Sequence, residues 1–183
     1  MEIRIKTKQI LGALLILAWI IFIGICIEAG AFITNAVFVL IKPEIVPRLW
    51  QEADLSNLFQ YDHGYFFVIV LLMSIVAIMK ASLFFLIIKI LHSQKLNMTH
   101  PFNQELERFI FRIAYLALFI GLFSLYGIKY SAWLISKGVK MPDAQSLHFG
   151  GGDVWLFMSV TLFVIAQIFK KGIEIQTENE LTI

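Results

Sequence analysis

From Ile10 to Ile27 the chain runs 18 residues without a charged side chain. A helix needs about 20 such residues to cross a hydrocarbon core about 30 Å thick. Three later stretches share the pattern. Tyr65 to Leu91 is interrupted only by Lys80 and Lys89, and Phe109 to Ile128 carries Arg112 as its single charge. Val154 to Phe169 carries none. Hydrophobic residues make up 59% of the 183 and charged residues 15%. Soluble domains typically have about 45–50% and about 25%. This excludes a disordered chain, a soluble nucleic-acid binder and an ordinary soluble enzyme. A bilayer is the solvent that accepts such a chain.

The pattern predicts an all-α membrane protein with four transmembrane helices, at about 10–28, 65–91, 107–129 and 152–170, in one domain over 1–183. Between them lie an outer loop or cap (29–64), an inner loop (92–106), an outer loop (130–151) and a cytoplasmic tail (172–183). The start, with Arg4, Lys6 and Lys8, looks like a signal-peptide n-region. The apolar run behind it exceeds the roughly 7–15 residues of such a peptide, so an uncleaved first helix is expected. Residues 31–41 either extend that helix or lie at the interface, and Pro43 and Pro47 end what arrives there. With the N-terminus inside, nine Lys and Arg fall on the cytoplasmic side and five outside. The positive-inside rule then puts both termini in the cytoplasm. Trp50, Tyr61, Tyr65, Tyr126, Tyr130, Trp133 and Trp155 fall toward the outer side, as an interfacial belt would.

Polar residues inside apolar runs are costly, about 2.5–3.5 kcal/mol for a central Lys on insertion scales. Lys80 is therefore the first ligand-binding candidate, with Glu28, Ser124 and Gln167 as its expected partners. His63 and His148 accompany Glu52, Asp54, Asp62, Asp143 and Asp153 without the tight spacing of a metal site, so no metal is expected. No catalytic constellation is visible, and neither an enzymatic activity nor a cofactor is expected. Gly150 to Gly152 lack the downstream Lys-Ser/Thr of a phosphate loop and predict a flexible turn, with Asp153 capping the last helix. Asn103 is the expected N-cap of the third helix, with Glu105 and Glu107 near its positive end. Gly12, Gly24 and Gly121 are small enough to let helices approach. Cys26 is the single cysteine, which excludes an internal disulfide. Gly172 is expected to end the last helix in a left-handed cap. Beyond it Ile173, Ile175 and Thr177 alternate with Glu174, Gln176 and Glu178, which predicts a short strand-like tail in search of a partner edge.

Two segments carry a family resemblance. His100-Pro-Phe-Asn-Gln-Glu-Leu-Glu-Arg-Phe-Ile-Phe-Arg-Ile-Ala supplies a Pro-Phe, an acidic cap and a basic helix start. Ile168-Phe-Lys-Lys-Gly-Ile-Glu-Ile-Gln-Thr-Glu-Asn-Glu-Leu-Thr-Ile supplies an aromatic, two basic residues, a glycine and an acidic ending. Together they resemble domain-of-unknown-function family 2975, prokaryotic multi-pass membrane proteins. The resemblance implies a four-helix protein of the bacterial cytoplasmic membrane with no established activity. Its gene context implies a regulatory role beside a cytoplasmic helix-turn-helix regulator. Pro101, Phe102, Ile173, Glu174, Ile175, Glu178 and Leu181 are the partner-binding candidates. The expected function is that of a non-enzymatic regulatory or interaction protein in contact with the lipid bilayer, without direct nucleic-acid binding and of open oligomeric state. The alternatives are a sensor or carrier of a small molecule using Lys80 and the outer aromatic residues, and an immunity-type protein acting against a toxin.

Overall fold

The computed structural model describes residues 7–42, 53–93 and 103–180. Five helices account for most of them: α1 (Thr7–Ile41), α2 (Ser56–Tyr61), α3 (His63–His92), α4 (Gln104–Ser136) and α5 (Gly152–Glu180). No strand occurs among the described residues. The helices α1, α3, α4 and α5 are long and apolar enough to cross a membrane. The chain therefore has the architecture of a multi-pass membrane protein.

Each long helix packs mainly on the next: α1 on α3, α3 on α4, α4 on α5. The result is a row with α3 and α4 central. Half of the most apolar window of α3 is buried, against 6% of that of α1. On α1 a narrow stripe of Ala18, Ala29, Phe32 and Val39 turns inward, while Ile16, Ile20, Ile27 and Leu40 stay exposed. Such a helix keeps its conformation in lipid because all its backbone groups are paired internally. Small residues set the fit of α4 on its neighbours. A Cβ added at Gly121 would sit 2.7 Å from Leu156 of α5, and one at Gly127 would sit 2.7 Å from the Phe149 ring. Gly12 and Gly24 have nothing within 4 Å of such a Cβ, so the close packing expected of them is absent.

Local chemistry fixes the helix ends. Asn103 accepts a hydrogen bond from the Leu106 amide at 2.8 Å and caps α4, as its sequence suggests, with Glu105 and Glu107 in the first turn. Asp62 accepts from the Tyr65 amide at 2.9 Å and starts α3 directly after α2. The end of α4 is closed by Gly138, at φ 87°. The Gly138 amide donates to the Ile135 carbonyl and the Val139 amide to the Leu134 carbonyl, the paired bonds of a left-handed helix terminus.

Of the two alternatives open for residues 31–41, the structure takes the first: they continue α1 as helix, because nothing before Pro43 interrupts the apolar, helix-compatible run. Three expectations need correction. A separate outer cap is not found among the described residues. Part of its first segment is α1, and Leu55, Leu58, Leu147 and Phe149 from the others are fully buried in the same core as Phe66, Ile69 and Met73 of α3. The strand-like tail is helical: α5 passes through Gly172 and runs to Glu180. Period-two alternation over so few residues does not outweigh a helix already propagating into it, since extension costs far less than nucleation. Asp153 lies inside the first turn of α5, not at its cap.

Candidate functional site

The segment between α4 and α5 carries the decisive side chain. Asp143 accepts from the Ser146 amide at 2.7 Å. The Leu147 amide bonds the Asp143 carbonyl, and the Phe149 amide bonds that of Ala144. This winds residues 143–149 into a tight turn. The turn buries Leu147 and Phe149 and leaves His148 between them, pointing the other way, at φ 58°. A left-handed conformation is costly for a residue with a Cβ, so packing on both sides must hold it.

His148 reaches α1 and α3 at once. Its Nδ1 lies 2.8 Å from Oε1 of Glu28, with both side chains about 30% exposed. Its ring meets Phe32 edge to face at a centroid distance of 5.3 Å. Its carbonyl accepts a hydrogen bond from Nζ of Lys80 at 3.2 Å. Glu28 and Lys80 attract each other across this contact. The sequence pairs the two on cost grounds, and the structure places His148 between them. Beside them opens a cleft of about 280 Å³ lined by Lys80, Gln145, His148, Gly150 and Gly151. Gly151 has φ 74°, which a glycine adopts without strain.

The other two ligand candidates lie apart from this cleft. Ser124 is fully buried on α4, and its hydroxyl has no hydrogen-bond partner among the described residues. Gln167 is exposed on α5. Among the partner candidates, Ile173, Glu174, Ile175 and Glu178 lie on the last turns of α5, where Glu174 pairs with Lys171 at 3.0 Å. Pro101, Phe102 and Leu181 fall outside the described residues. His63 stacks on Phe59 at 4.2 Å instead of joining a metal cluster, and no group of three metal-ligating side chains occurs among the described residues.

The aromatic residues gather where α3 begins and α4 ends. Tyr65 meets Trp133 at 5.4 Å and Tyr130 at 6.4 Å, Tyr126 stacks on Tyr130, and Lys137 lies over the Trp133 ring. Five of the seven belt residues are thereby placed together: Tyr61 completes the cluster by stacking on Tyr65 at 6.3 Å. His148 is the site residue that sequence reasoning considered only as a metal ligand and set aside. The signal for it was indirect: a Lys and a Glu in two apolar runs both require a polar neighbour.

Four long apolar helices and a polar contact shared by α1, α3 and the α4–α5 connection define a multi-pass membrane protein with a partly buried polar site. A model of the family described as proteins of unknown function, DUF2975, matches residues 48–183, and the chain belongs to that family. The match includes Lys80 and His148, while α1 with Glu28 precedes it. No curated protein and no solved structure matches the chain.

Proposed function

We propose that this protein is a non-enzymatic regulatory module of the bacterial cytoplasmic membrane, with both termini cytoplasmic, that senses a small polar molecule at the cleft beside Lys80. The observation that carries the reading is the Glu28–His148–Lys80 contact, which ties three separate elements together through one loop residue. An ammonium has three donors, and the His148 carbonyl takes one. The others suit a carboxylate or phosphate oxygen entering the cleft. Such a ligand would compete with the contacts that hold the turn to α1 and α3, and so bias how those helices pack. The volume of about 280 Å³ lies just below the range of ligand pockets, about 300–1,000 Å³, and fits a molecule of few heavy atoms.

The test is a thermal-shift screen of purified protein against small carboxylates and phosphates. A ligand that raises Tm in the wild type and gives no shift in Lys80→Met supports the reading. Unchanged Tm and unchanged shifts in Lys80→Met would sink it.

A protein-interaction role is favoured by a different observation. The last turns of α5 present Ile175, 49% exposed, among Glu174 and Glu178. A cytoplasmic helix-turn-helix regulator is the partner to try. Undiminished capture of it after deletion of residues 172–183 would remove this second role.

A further inference from the structure

We propose that the end of the molecule where α3 leaves and α4 begins is a binding site for an anionic phospholipid. A cleft of about 260 Å³ between these helices is lined by Lys89, Ser93, Glu105, Arg108 and Arg112, together with apolar side chains. Three cations therefore face one acid. No ion pair joins any of the three to another described residue. Arg108 and Arg112 are four residues apart on one helix face, a like-charge spacing that destabilises a helix, and Lys89 adds a third positive charge from the opposite helix. Like charges held around one cleft repel, and an anion seated among them relieves that repulsion.

The second half of the argument is apolar. A cleft of about 400 Å³, almost free of polar surface, opens between α1, α3 and α4. Leu14, Leu17 and Ile21 form its α1 wall and Phe84 and Ile87 part of its α3 wall. It shares Ile90 and Phe109 with the cationic cleft. A phosphate held by the cations thus has an apolar slot one side chain away, which is the layout of a phospholipid headgroup beside its acyl chain. Basic pockets between helices at a membrane surface recognise anionic headgroups in this way. A soluble anion would make no use of the apolar slot.

Native mass spectrometry of the full chain, released from nanodiscs of equal phosphatidylglycerol and phosphatidylcholine with matched acyl chains, tests the site. Each cation beside an anionic lipid is worth about a five-fold change in affinity. Wild type is expected to retain phosphatidylglycerol preferentially. The preference should fall about twenty-five-fold in the Arg108→Gln, Arg112→Gln double variant. Lys129→Gln with Lys140→Gln, at the other end of the molecule, should leave it unchanged. Should the double variant fail to fold, Lys89→Gln alone is expected to lower the preference about five-fold. Leu17→Trp, which fills the apolar cleft without altering charge, should weaken retention of long-chain lipid. Equal retention of the two lipids, a preference indifferent to these substitutions in folded protein, or displacement of the lipid by soluble glycerol phosphate would overturn the proposal.

Discussion

His148 occupies a backbone conformation that costs a non-glycine residue about 1–2 kcal/mol, and its side chain returns that cost through Glu28 and Phe32. This makes the size of one substitution's effect depend on another residue. His148→Gly relaxes the backbone and loses the contact with Glu28, so it should destabilise the wild type. In a Glu28→Ala background that contact is already gone, and His148→Gly should cost less by about 1 kcal/mol. Chemical denaturation of all four proteins in the cycle measures the difference. Additive effects would mean that the pair contributes nothing. Asp143, which shapes the same turn, has a pH signature. The Ser146 amide beside it holds its carboxyl below the usual carboxylate range. Its folded value therefore lies below its unfolded value of about 3.9. The stability it contributes is present above that value and is lost as pH falls through the folded one. Melting curves of wild type and Asp143→Asn should differ at neutral pH and converge below about pH 4. Lys80 and Glu28 were legible in the sequence because a charge inside an apolar run demands an explanation. His148 was not, because its partners come from helices distant in the chain and its loop looks like ordinary solvated turn.

At the scale of the elements, the helix positions followed from apolar run length, and the α4 start from Asn103 and its acidic neighbours. The helix ends that sequence misjudged share a cause. Glycine lowers helix propensity by about 1 kcal/mol, yet Gly30 and Gly172 both lie inside helices that run on beyond them. A long helix tolerates one such residue because every neighbour adds its own hydrogen bond. The glycines of α4 differ, since they make room for neighbours. Gly127→Ala would push a methyl into the buried Phe149 ring and should destabilise by about 1–3 kcal/mol. Gly24→Ala meets nothing and should be neutral or slightly stabilising. Thermal melts of the two variants in one detergent check the contrast. Equal effects would mean that α4 can shift to accommodate the added methyl.

For the whole molecule, a row of helices built in chain order places the α2–α3 junction at one end and the α3–α4 connection at the other. In the proposed topology, which follows the positive-inside bias, the second end faces the cytoplasm. In a Cys26→Ser background, a thiol introduced at Ser56 should react with an impermeant reagent from outside. One at Ser93 should react only after the membrane is opened. Reversed labelling would invert the topology and move the cationic cleft to the other leaflet. The membrane class of the chain was legible because hydropathy adds up over long runs. That the described residues of the expected cap join the helix core was not, because Leu55, Leu147 and Phe149 look alike in sequence whether they cover a surface or fill a core.

One property of α1 has a mechanical side. Its 35 residues amount to about 52 Å at 1.5 Å per residue, well beyond a hydrocarbon core about 30 Å thick. A span too long for its bilayer relieves the mismatch by tilting, and α1 is an edge helix tethered to the α4–α5 connection through Glu28. α1 also packs along α3, so any tilt that relieves the mismatch has to be shared with α3 and with the α4–α5 connection that Glu28 touches. The length of one helix thereby becomes a constraint on how its neighbours can sit in the bilayer.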